Sequence, residues 1–162
     1  MIQTTASRRM LLIAAILLTG VFTSGIAQAA DRNYSGTLKE KLKVSGCGSD
    51  TANHRFSINL KSNRFWNADN FGGRYKSTSS GRKLNLSFNS TSKTLFRLGI
   101  RNWAINLCRA NVKDFKDFKF KFKAKLNKKR TAMAGTVNIS AKGRLKSRSV
   151  NTKYTGKIKV SR

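Results

Sequence analysis

The side chains with most to offer chemically are cations at alternate positions: Lys119, Lys121, Lys123 and Lys125, then Lys142 and Arg144, then Lys153, Lys157 and Lys159. In a β-strand, period-two spacing sends alternate side chains to opposite sides, so these cations project from one face of a sheet. Almost no carboxylate interleaves them. Like charges facing each other across paired strands cost about 0.2 to 1 kcal/mol per pair. A partner carrying repeated negative charge removes that cost, which makes a polyanion the natural candidate. The competing reading is a solvated face that discourages aggregation and edge pairing. The phenylalanines between these lysines suggest a base-stacking platform. On a strand, however, they point away from the lysines and belong to the core. Any nucleic-acid binding would then rest on phosphates, with weak sequence preference and steep salt dependence.

A second cluster lacks clean alternation. Arg64, Phe65, Trp66, Phe71, Arg74, Tyr75 and Lys76 lie close in sequence beside Asn67, Asn70 and the pair Gly72-Gly73. Rings and cations sharing a surface meet sugar rings, lipid headgroups or bases, so this segment is the candidate ligand-contacting loop. A plain hairpin whose rings tuck under the sheet is the alternative.

Catalytic chemistry finds little support. Glu40 falls on the apolar side of its alternating segment, where a carboxylate is desolvated unless it finds a partner. No second acid stands in the same pattern, as a glycosidase requires. Asp50 and His54 come without a nucleophile elbow, and no glycine-rich phosphate loop is present. The single His54 and the scattered acids form no ligand set at metal spacing, and no cofactor motif appears. A disulfide is the expected state of Cys47 and Cys108 in an exported chain.

The elements that must position these groups follow from periodicity. Tyr34 to Val44, Phe56 to Leu60 and Leu84 to Phe88 alternate apolar and polar residues, with Ser- and Gly-rich turns such as Ser77 to Gly81 between. Four strands are expected before residue 90. From Thr91 to Leu107 the spacing changes to three and four. Leu95, Leu98, Ile105, Phe96, Trp103 and Leu107 form one side, and Arg97, Arg101 and Ala104 the other. The reading is an amphipathic helix with Ser90 or Thr91 as N-cap. Alternation then returns in three runs, Phe118 to Leu126, Met133 to Leu145 and Val150 to Val160. The expected fold is α+β and mainly β: an antiparallel meander of about seven strands with one helix, about 91–107, packed on it. An all-β up-and-down barrel is the alternative. The small residues Gly135, Ala141, Gly143 and Gly156 on the apolar faces offer room for an interior cavity or relieve twist.

The segment 1–30 opens with Arg8 and Arg9, runs apolar from Met10 to Phe22 and ends in Ala27-Gln28-Ala29, the layout of a secretory signal. Its apolar run is short for a membrane span, so cleavage near Ala29 or Ala30 is expected, with a single basic β-rich domain over 31–162. Ser7-Arg8-Arg9-Met10-Leu11-Leu12 resembles a twin-arginine signal, and an ordinary Sec signal is the alternative. The chain carries 34 Lys and Arg against six Asp and Glu, a net +28, and the two leader arginines are a small part of it. The expectation is a periplasmic or secreted, non-enzymatic protein that engages an anionic surface or polymer: lipopolysaccharide, anionic lipid, acidic polysaccharide or nucleic acid. A carrier of an apolar small ligand in the sheet and helix interior is the alternative.

Overall fold

In the computed structural model, which describes residues 32–67 and 71–162, each alternating run named above is a strand. The expected leader over 1–30 and its cleavage site lie outside the described residues. The order is β1 (Arg32–Val44), β2 (Gly48–Lys61), β3 (Arg64–Trp66), β4 (Gly72–Ser77), β5 (Lys83–Phe88), α1 (Ser90–Cys108), β6 (Val112–Leu126), β7 (Ala132–Leu145) and β8 (Arg148–Ser161). Among the described residues no helix is long and apolar enough to cross a membrane.

Each strand pairs antiparallel with the next, and β8 pairs with β1 from Ser35↔Ser161 to Val44↔Thr152, which closes an eight-stranded barrel. The open seven-stranded meander expected from the sequence is therefore corrected in two respects. Five strands precede the helix, because Arg64–Trp66 forms a three-residue strand too short to show a period. The first and last strands also meet, since long twisted strands with matching apolar parity curl until their edges pair. Closure pairs the edges that β1 and β8 would expose in an open sheet, although β2 before Asn59 stays unpaired on its β3 side. The helix survives as an insertion between β5 and β6, so the fold joins the barrel of one expectation to the helix of the other.

Inward residues fill the barrel in layers. Tyr34, Leu60, Leu84, Leu126, Met133 and Val160 pack one end, while Leu42, Val44, Ile139, Val150 and Tyr154 pack toward the helix, all under 6% exposed. α1 lies over that second end, against β1, β2, β5 and β6. Its N-cap is Asn89, one residue before the expected Ser90 or Thr91, and the Asn89 Oδ1 accepts from the Ser92 amide at 2.8 Å. The buried helical face is Ser92, Ile100 and Ala104, with Phe96, Trp103 and Leu107 packed beside it. Leu95 and Leu98, assigned inward from the sequence, are 37% and 51% exposed, and Ala104, assigned outward, is fully buried. At about 100° per residue Leu95 and Leu98 sit roughly 100° or more from Phe96, and the small Ser92 and Ala104 occupy the close approaches.

Both helix ends are fastened. The Ser92 hydroxyl, fully buried, accepts from the Gly72 amide at 2.7 Å and donates to the Gly72 carbonyl at 2.9 Å. Ser92→Ala leaves the Gly72 amide without this buried acceptor, while the Gly72 carbonyl keeps the Asn89 amide at 3.0 Å. Urea titration should show a loss of about 1 to 3 kcal/mol; an unchanged midpoint would mean that water replaces the hydroxyl. At the other end Cys108 is bonded to Cys47 in the β1–β2 turn, with the Cα atoms 4.9 Å apart. The Trp103 Nε1 also donates to Asp50 at 2.7 Å. The disulfide is compatible with an exported protein.

Candidate functional site

The barrel's outer wall gathers the predicted cations. Lys119, Lys121, Lys123 and Lys125 on β6, Lys142 and Arg144 on β7, and Lys153, Lys157 and Lys159 on β8 are all exposed. Closure adds β1: Lys39 stands opposite Lys157, and Lys43 opposite Lys153. From Ala134 to Ser140 the lane along β7 between β6 and β8 is neutral, and Lys142 and Arg144 follow it. Ala134, Thr136, Asn138 and Ser140 pair with Lys125, Lys123, Lys121 and Lys119 on one side. Except for Asn138, which meets Thr155, they pair with Lys159, Lys157 and Lys153 on the other. Two lysine rows about 10 Å apart therefore flank a furrow of small side chains, with charges repeating about every 7 Å along a strand.

The described acids lie elsewhere. Glu40 points inward, Asp50 binds Trp103, and Asp114 and Asp117 sit where β6 bulges. Asp117 lies 3.6 Å from Lys142, a half-exposed pair of small worth. At Asp114 and Asp117 the backbone turns left-handed, φ 53° and 55°, a conformation aspartate tolerates, and each bulge inserts one residue. The extra residues bring Phe115, Phe118 and Phe120 into one stacked row, with the Arg97 guanidinium 5.5 Å from the Phe118 ring. An open groove of about 490 Å³ lies there, lined by Arg97, Leu98, Arg101, Lys113, Phe115 and Phe118 among others.

The interior is not completely filled. β2 pairs with β3 only over Asn59–Lys61, while the rest of β2, from Gly48, pairs with β1 alone. Behind this parted stretch lies a cavity of about 190 Å³, lined mostly by Leu38, Ile58 and the rings of Phe56, Phe65, Trp66, Phe71, Phe88, Phe96 and Phe122. Its polar wall is Glu40, His54 and Asn67, with the exposed Arg55 at the rim. The Glu40 carboxylate is 17% exposed and accepts from the Tyr154 hydroxyl at 2.5 Å through one oxygen. Its other oxygen lies 2.7 Å from His54 Nε2, and the imidazole is 56% exposed at the mouth. Burial, then the charge of Glu40, hold the Tyr154 hydroxyl far above the ordinary tyrosine pKa, so it remains a donor. Gly156 stands opposite Glu40, and a Cβ there would lie 2.9 Å from the Tyr154 oxygen; its bare backbone is what lets the hydroxyl reach the carboxylate.

The candidate ligand loop is divided by the fold. Phe65 and Tyr75 are buried, Trp66 is 42% exposed, and Arg64, Arg74 and Lys76 point to solvent. Phe65, Trp66 and Phe71 meet at the cavity, whereas Tyr75 packs in the barrel away from it. The pair Gly72-Gly73 permits close approach of neighbouring strands: a Cβ on Gly73 would lie 2.0 Å from the Ser87 carbonyl oxygen. Gly135 and Gly143 accommodate Phe122 and Phe115 and do not line the cavity. Sequence parity placed Glu40 inside but gave no sign of Tyr154 or His54 as its partners, nor of Lys39 and Lys43 as part of the cationic wall.

No family model matches this sequence, and no curated protein matches it. Among solved structures, the crystal structure of the ywiB protein from Bacillus subtilis is similar over 78% of this chain and 94% of that chain. The identity is 9% and the TM-score 0.26, a level that carries no argument.

Proposed function

We propose that this is an exported, non-enzymatic binding protein whose lysine-rich outer wall engages an anionic surface or polymer. One observation carries the reading: β1 and β8 set Lys39 against Lys157 and Lys43 against Lys153, and β6 adds a row of lysines across the β7 lane, on a wall where Asp117 beside Lys142 is the one described carboxylate in ion-pair reach. Such an arrangement costs about 0.2 to 1 kcal/mol per opposed pair in the free protein, and a ligand with regularly spaced anions removes the cost on binding. The β7 furrow suits one extended chain bearing phosphate, sulfate or carboxylate groups. No large ring is exposed on that wall, so recognition rests on charge.

The test is binding of the oxidised protein to heparin, duplex DNA and anionic vesicles across a salt series. The control is the variant Lys119→Gln, Lys121→Gln, Lys123→Gln and Lys125→Gln. Wild-type affinity should fall steeply with salt, and the variant should bind about tenfold or more weakly with a shallower salt slope. Its thermal midpoint should be no lower than that of the wild type, because neutralisation relieves repulsion. Binding that ignores the four substitutions would reduce the lysines to a solubility device.

A second reading, a carrier for a small apolar molecule, is favoured by the cavity. Eight strands give a barrel just wide enough for side chains or one small ligand. An apolar cavity of about 150 Å³ holds a benzene-sized molecule. Recovery of a bound small molecule from protein purified without detergent would support this reading.

A further inference from the structure

We propose that the cavity is a binding site for a small amine with an apolar body, its ammonium group held by Glu40 and its body among the phenylalanines. The proposal rests on the cavity reading and is independent of the lysine wall.

The polar inventory of the site decides the class. Tyr154 donates to one Glu40 oxygen, and the His54 Nε2 approaches the other. A carboxylate offers about four acceptor positions, so two remain for a ligand that donates. An anionic head would meet the same carboxylate at contact distance and be repelled. The neighbours also leave the charge open. Lys39 and Lys41 flank Glu40 in sequence but point outward, Gly156 faces it across the strands, and Tyr154 brings a hydroxyl without charge. Arg55, which also lines the cavity, is an exposed residue, and with a neutral imidazole at His54 no described side chain within ion-pair distance cancels the Glu40 charge. An ammonium does so, and surrounding aromatic faces such as Phe56, Phe96 and Phe122 favour a cation further. The volume limits the body to one ring or a short chain.

The protein's own charge gives the binding an unusual salt dependence. A net +28 repels an approaching cation at long range, and salt screens that repulsion before it weakens a contact inside the cavity. Amine affinity should therefore rise with salt, opposite in sign to polyanion binding on the outer wall.

The experiment is calorimetric titration of the oxidised protein with 2-phenylethylamine, 2-phenylethanol and phenylacetate, at about 10 mM and about 150 mM salt. The amine should bind about tenfold or more tightly than the alcohol, and phenylacetate not measurably. Glu40→Gln, which keeps an acceptor for Tyr154, should abolish the preference while leaving alcohol binding in place. Tyr154→Phe, which keeps the carboxylate, should retain it and guards against a Glu40 variant that fails to fold. Equal or tighter binding of the alcohol or phenylacetate would overturn the amine assignment but leave the cavity reading standing. No binding of any of the three probes would overturn both.

Discussion

Replacing Cys47 and Cys108 together with alanine should lower the unfolding free energy by about 4 kcal/mol. The two residues are 61 apart in sequence, and in the chain-entropy account the crosslink removes the freedom of that whole loop from the unfolded ensemble. Against the usual stability of about 5 to 15 kcal/mol, this is a large share. The folded state should also change locally. The bond fixes the C-terminal end of α1 to the β1–β2 turn, leaving the Trp103 bond to Asp50 and the buried Ile100 and Ala104 to hold that end. Urea titration of the double variant should therefore show a lower midpoint. Amide exchange should accelerate first in the last turns of α1, with the barrel strands still protected. Reduction of the wild type with a thiol should give the same loss. A loss under about 1 kcal/mol would mean that the unfolded chain is already compact around this loop.

That dependence was legible because cysteine chemistry is written in two residues and a compartment. Strand faces were legible for a similar reason: from Phe118 to Leu126 each side chain's direction follows from parity alone. What parity cannot report is whether the first and last strands of a sheet meet. The pairing of Ser35 with Ser161 or Leu38 with Ile158 joins residues more than 100 apart, and nothing local to either strand announces it. The helix failed differently. Its existence followed from spacing, but its face was judged by hydrophobicity, which favours Leu95 and Leu98. Packing at the close approaches selected Ser92 and Ala104 because they are small.

The sites follow the same division. The lysines of β6 and β8 were found because a strand displays every second residue, and Lys39 and Lys43 were missed as part of that wall because they join it only on closure. Glu40 was recognised as an inward carboxylate, yet its meaning depends on Tyr154, 114 positions away, and on Gly156 leaving room for that hydroxyl. The spacing of three between Phe115 and Phe118 is explained by the residue inserted at the left-handed Asp117, which a period-two reading has no way to accommodate.

Phe122→Ala should cost about 3 to 5 kcal/mol, comparable with loss of the disulfide but acting on the folded state. Phe122 is 4% exposed. Its ring meets Phe65 edge-on at 5.6 Å between centroids and stacks on Phe88 at 5.3 Å, and it faces the bare backbone of Gly135. Strands hydrogen-bonded on both sides cannot collapse into the space vacated by the ring, so the cavity it already lines grows and its neighbours lose contacts. Phe115→Ala makes the comparison informative: a phenylalanine of the same strand, half-buried at the bulged rim, should cost about half as much or less. Paired urea titrations test the difference, and similar losses would mean that the barrel interior repacks freely. If Phe122→Ala remains folded, its enlarged cavity should admit a two-ring amine that the wild type excludes, which ties the core's packing to the size of the ligand it selects.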